Sequence, residues 1–258
     1  MPAQRIRQPR VAELVASRLR DDILTGRLKE GDVLPSQESL FAEFGVSPPA
    51  VREAIHLLES DGLISVRRGN VGGAVVHLPS ADRTAQMISM VLQTRAATPG
   101  DVSEALLHLE PICAGMCAAR EDRMSEVVPR LQAAIDVQTE QFDTPSRYVP
   151  NARRFHEAVV SRCGNEPMIL LIGSLEVIWT AHESSVWSDE RHPGDPMEPK
   201  TMRAALRDHR RLLEAIVDGN SARAVRLAQD HLAVARRNTL AAGSDRTIEA
   251  KLISSHDR

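Results

Sequence analysis

Two histidines near the C-terminus have a spacing that could bring imidazoles together. His209 precedes Gly219 by ten residues, and His231 follows Asn220 by eleven. If Asp218-Gly219-Asn220 turns between antiparallel helices, a rise of about 1.5 Å per residue puts both rings about 15 Å from the turn. Facing imidazoles at one level can chelate a divalent metal. His156, flanked by Phe155 and Val159 on an earlier helical segment, is expected to face inward, although no spacing brings it to the other two. His182, one turn after Ile178 and near Trp179, could line the same effector pocket. A lone histidine is more often hydrogen-bonded or exposed than a ligand, and His77, His108 and His192 show no pattern that argues otherwise. No carboxylate is placed by spacing as a general base, since Glu157 points about 100° away from His156 on a helix. With no nucleophile motif either, the chain is not expected to be an enzyme, and a metal-dependent hydrolase is the remote alternative.

These residues need a helical scaffold, and the sequence supplies one. Helices are expected over 81–94, 102–120, 125–142, 146–163, 166–186, 199–217 and 222–241, with breaks at Thr98-Pro99-Gly100, Asp143-Thr144-Pro145 and Gly164-Asn165. No strand pattern follows residue 80, so this part reads as an all-α antiparallel bundle. The chain has 258 residues, room for one or two domains, and 42% of them are hydrophobic, enough for a packed core. Its net charge of -3 excludes a generally basic, histone-like binder but not a local nucleic-acid face. No apolar run approaches the ~20 residues that span a bilayer, so no membrane partner is expected. Cys113, Cys117 and Cys163 form no disulfide framework and read as buried reduced thiols, which implies a cytoplasmic location.

The first eighty residues read differently. An apolar stripe over 11–25 is followed by a turn-rich stretch, 28–36. Ser36 can cap a short helix, 37–44, which Gly45 stops. Ser47 can cap the next, with Pro48 at its first position, running to about Ser60. This is helix-turn-helix spacing. Two strands, 63–67 and 74–78, enclose a glycine-rich loop, 68–73, and would form a wing. The region holds ten basic and ten acidic side chains, but Arg5, Arg7 and Arg10 cluster at one end, and Arg52, Arg67 and Arg68 flank the third helix and wing. A neutral domain with one positive face is expected.

Leu34-Pro35-Ser36, Gly45-Val46-Ser47, Val51-Arg52-Glu53-Ala54, Leu58 to Ile64 and Val66-Arg67-Arg68-Gly69 resemble the winged-helix domain of the GntR family of bacterial transcription regulators. The resemblance implies a homodimer, commonly a repressor, that lays two third helices in successive major grooves of a palindromic operator. Onto this chain it carries Ser36, Ser47, Arg52, Arg67, Gly69 and Gly72 as DNA-binding positions. Arg68 and Asn70 are added from their place in the wing. Glu38 and Pro48 stand where the family usually has arginines, which implies an unusual operator.

Phe155-His156, Gly164-Asn165, His209-Arg210 through Gly219-Asn220, and Ala224 through His231-Leu232 resemble the helical FCD-type effector domain of the FadR subfamily. That resemblance implies a divalent metal (zinc, nickel and manganese are not distinguished) on His156, His209 and His231, with a small organic acid as effector. The usual carboxylate ligand position is Ala152, and Leu106 replaces a frequent arginine, which leaves open a metal-free regulator sensing a fatty acyl or other apolar effector. Asn151 lies about 140° from His156 around the helix and should not share the site. The expected organisation is mainly α: a winged helix-turn-helix over 1–78, an effector-binding and dimerisation bundle over 79–242, and a polar, mobile tail over 243–258.

Overall fold

A computed structural model describes residues 10–67, 73–142, 145–188, 198–242 and 248. The chain divides into two compact units, Met1–Ser80 and Ala81–Arg258. In the first, α1 (Val11–Leu24) buries Ala12, Val15, Ala16, Leu19 and Ile23, the apolar side of its stripe. The Ser36 hydroxyl accepts the Ser39 N–H at 3.1 Å and opens α2 (Gln37–Phe44). Gly45 ends that helix at φ +64°, a left-handed conformation that favours glycine. Helix α3 (Pro48–Ser60) follows, burying Val51, Ala54, Ile55 and Leu58 against α1 and α2. Strands β1 (Ile64–Arg67) and β2 (Gly73–Val76) pair antiparallel, with Ile64 opposite Val76 and Arg67 opposite Gly73. These elements make a winged helix-turn-helix.

Two local expectations are corrected. Ser47 occupies the cap position of α3 in extended conformation, but its side chain makes no capping bond. Pro48 and Pro49 have no N–H to offer, and the Ala50 N–H already bonds the Ser47 carbonyl at 3.0 Å. The stretch expected to be only turns adds a third extended segment beside β2. The N–H groups of Gly31 and Leu34 bond Val76 and Ala74 carbonyls at 3.0 and 2.8 Å, and the Val76 N–H bonds Asp32 at 2.8 Å. Gly73 permits this approach, because a Cβ there would sit 2.7 Å from Val33 Cγ1. The wing positions Arg68, Gly69, Asn70 and Gly72 lie outside the described residues.

The second unit is helical throughout its described residues: α4 (Ala81–Thr94), α5 (Pro99–Ala119), α6 (Arg123–Glu126), α7 (Val128–Glu140), α8 (Pro145–Ser161), α9 (Glu166–Ser188), α10 (Pro199–Val217) and α11 (Ser221–Ala242). Helix α5 starts earlier than expected because Thr98 and Asp101 form a reciprocal capping box. The single helix expected over 125–142 is two, α6 and α7. Pro129 removes a backbone donor and its ring crowds the preceding turn, so a new helix starts after the cap residue Val127. Helix α5 packs along α11, α4 along α9, and α8 between α7 and α9, around a core that includes Leu131, Ile135, Phe155, Ile172, Trp179 and Ile216. Beyond Ala242 only Ile248 is described. It is docked rather than free, buried in the core with its N–H 3.1 Å from the Ala97 carbonyl.

Candidate metal centre and nucleic-acid interface

Helices α8, α10 and α11 bring His156, His209 and His231 together inside the bundle, each at most 7% exposed. The near-equal lengths from the α10–α11 turn set His209 and His231 at one level. The inward face of α8, which also buries Phe155 and Val159, supplies the third ring. Their Nε2 atoms form a triangle with sides of 3.1 Å (His209–His231), 3.3 Å (His156–His209) and 3.3 Å (His156–His231).

Each Nδ1 faces an oxygen. Glu110 Oε1 is 2.6 Å from His156, Gln138 Oε1 is 2.9 Å from His209, and Asp208 Oδ2 is 3.7 Å from His231. Phe155 stacks on the His209 ring with centroids 4.2 Å apart. On His156 and His209 hydrogen-bonded oxygens hold the ring proton at Nδ1 and turn the Nε2 lone pair toward the other rings. Three such lone pairs repel unless a cation lies between them. Three imidazoles around one ion at about 2.0–2.1 Å with near-tetrahedral angles stand roughly 3.3 Å apart, so the donor set fits a divalent metal.

Electrostatics keep His156 and His209 neutral. Burial, reinforced by the Arg153 charge and opposed by Glu110, pushes His156 down to about 4. Burial, then the neighbouring His231 and His156, holds His209 well below the ordinary histidine value. Burial alone would raise Glu110, but His156 overrides it and leaves the carboxyl below its usual range. Neutral imidazole against ionised carboxylate is the protonation state a metal ligand needs.

The carboxylate beside the histidines was missed in the sequence, where none was expected. It comes from α5, not from the α8 position occupied by Ala152. Its signal was a charged residue inside the buried stripe Leu106, Glu110, Cys113, Cys117. Gln138 sits likewise in the stripe Leu131, Ile135, Gln138 of α7. Asn151 is turned away, its amide donating to Gln141 Oε1 at 2.8 Å. His182 lies beside Trp179, centroids 5.5 Å apart, and is not part of the triangle. Glu110 contacts the Nδ1 edge, opposite the convergent nitrogens, which suits it to orient His156. The three thiols are free and buried, and burial pushes Cys117 up to about 12, so they pack rather than react.

In the first unit, Ser36, Ser47, Arg52 and Arg67 are all exposed. Arg52 stands on the outer face of α3 near its N-terminus, and His56 follows one turn later on that face. Arg20 pairs with Asp61, Arg18 and Arg27 with Asp22, and Arg10 with Glu53. Among the described residues of this unit Arg52, Arg67 and Lys29 have no ion pair, and the first two lie on α3 and at the end of β1.

Comparison with known proteins gives the same two-part division. Residues 11–75 match the family described as bacterial regulatory proteins, gntR family, and residues 101–234 match the FCD domain. The chain is similar to the HTH-type transcriptional repressor NanR of Klebsiella aerogenes, 26% identical over 86% of this chain and 83% of that protein. It is also similar to the HTH-type transcriptional regulator Mce2R of Mycobacterium tuberculosis, 27% identical over 93% and 96%. Among solved structures, Streptococcus agalactiae GntR shares the fold with a TM-score of 0.68 at 20% identity, covering 88% of this chain and 99% of that one.

Proposed function

The chain belongs to the GntR family of bacterial transcription regulators with an FCD domain, and from that premise we propose that it is a metal-assisted sensor of a small organic acid. It is a DNA-binding regulator and not an enzyme. In this reading it acts in the cytoplasm as a homodimeric repressor, placing α3 of each protomer in the major groove of a palindromic operator. Ser36, Ser47, Arg52 and Arg67, together with the wing residues Arg68, Gly69, Asn70 and Gly72, contact DNA. Arg52 holds a phosphate.

His156, His209 and His231 would hold the divalent ion, which when bound supplies an open coordination position for an effector oxygen. Glu110 and Gln138 keep the ring protons on Nδ1, and the surrounding apolar core excludes water. An effector with different affinities for two arrangements of the dimer shifts the population between them, and so the affinity for the operator.

The observation that carries this reading is the triangle of Nε2 atoms, 3.1 to 3.3 Å on a side, with an oxygen at every Nδ1. Elemental analysis of protein purified without chelators tests it. About one equivalent of metal is expected in the wild type, and little in His209→Ala. Wild-type protein that stays metal-free after reloading overturns the metal reading in favour of a metal-free sensor of an acyl compound.

A further inference from the structure

A second buried charge cluster adjoins the histidines. Arg153, one turn before His156 on α8, is 4% exposed and meets two equally buried carboxylates from α9. Its guanidinium pairs with Glu176, and its Nε lies 3.8 Å from Glu183 Oε2. Glu183 Oε1 accepts the Thr239 hydroxyl of α11 at 3.0 Å. The cluster is electrostatically continuous with the triangle. The Arg153 charge acts on Glu110, His156 and His209, and Glu183 interacts with His231 and Glu110.

Among the described residues Arg153 is the one buried arginine, and Glu110, Glu176 and Glu183 are the buried carboxylates. Asp208 is more exposed and solvent screens it. With the sensor function proposed above as its basis, we infer that the Glu176–Arg153–Glu183 clasp limits the charge of the effector: the site takes a monocarboxylate and rejects dicarboxylates and tricarboxylates.

The argument is one of charge in a low-dielectric interior. A divalent ion and Arg153 together are matched by the three carboxylates. With all three ionised no positive charge is left over, so an effector carboxylate is held by coordination to the ion itself. A single effector carboxylate can be accommodated on the ion. A second enters with no counter-charge, because the guanidinium that could receive it is already engaged by Glu176 and Glu183. Uncompensated buried charge is strongly unfavourable.

The test compares two acids of equal carbon count, butyrate and succinate, on the metal-loaded full chain by calorimetry. Butyrate is expected to bind at least about tenfold more tightly, the scale of one added like charge nearby. Glu183→Gln removes a buried negative charge in the same shape, frees one edge of the Arg153 guanidinium for a second effector carboxylate, and should narrow the difference between the two affinities at unchanged metal content. Thr239→Val loosens the same side chain but leaves the charge, and should leave the preference intact. Succinate binding as tightly as butyrate to wild type, or neither acid binding, overturns the inference while the metal content stands. If Glu183→Gln does not fold, the wild-type comparison decides alone. A chain that takes up no metal overturns the sensor reading first and this inference with it.

Discussion

Single side chains at the centre have consequences in acid. His156 sits at about 4 when folded and His209 well below its ordinary value, against about 6.5 for an unfolded histidine. Between those values the unfolded chain binds more protons, so stability rises with pH there and falls on acidification. Denaturant melts of metal-free protein should show the midpoint dropping as pH goes from 6.5 toward 4. The drop should be smaller in a variant with His156 and His209 replaced by apolar residues of similar size. Arg52, exposed and without an ion pair among the described residues, should act through phosphate. Arg52→Ala should weaken binding to specific and random duplexes about equally and flatten the slope of log affinity against log salt by roughly one unit. An anisotropy titration over a range of salt concentrations checks both, and an unchanged slope removes the phosphate role.

Elements position these side chains by ordinary local chemistry. The Ser36 hydroxyl satisfies an otherwise orphaned donor at the start of α2, a helix of eight residues with little packing of its own. Ser36→Ala should cost about 1 kcal/mol in the unfolding of the winged helix. Ser47→Ala should cost far less, because Pro48 and Pro49 leave that cap without a donor to bind. Chemical denaturation of the two variants side by side distinguishes them. In the bundle, the α10–α11 turn sets the level of the His209 and His231 rings, so its length matters more than its composition. One residue inserted after Asn220 would rotate His231 about 100° and translate it about 1.5 Å, which should abolish metal retention while the helices persist.

At the scale of the whole molecule, the proposed two-fold symmetry makes a prediction about DNA. Footprinting on the promoter beside the chain's own gene should protect a short inverted repeat with half-sites about one helical turn apart. The protein's mass in solution should be that of two chains. Protection of a single asymmetric half-site, or a monomer that binds as tightly, would rule out the dimeric arrangement. The two compact units have separate cores.

What the sequence determined by itself was local and periodic. Apolar spacing marked the helices, Gly45 and Ser36 marked their ends, and near-equal distances from the Gly219-Asn220 turn foretold that His209 and His231 share a level. These rest on helical rise and rotation, which any chain obeys. Tertiary structure decided what came from elsewhere in the chain. Glu110 is 46 residues from the His156 ring it orients, and Gln138 is 71 from His209. The pairing of residues 31–34 with β2 likewise depends on a strand some forty residues later in the sequence. Long-range partners are chosen by how helices pack and which buried polar groups must be satisfied, and spacing along the chain carries no record of that choice.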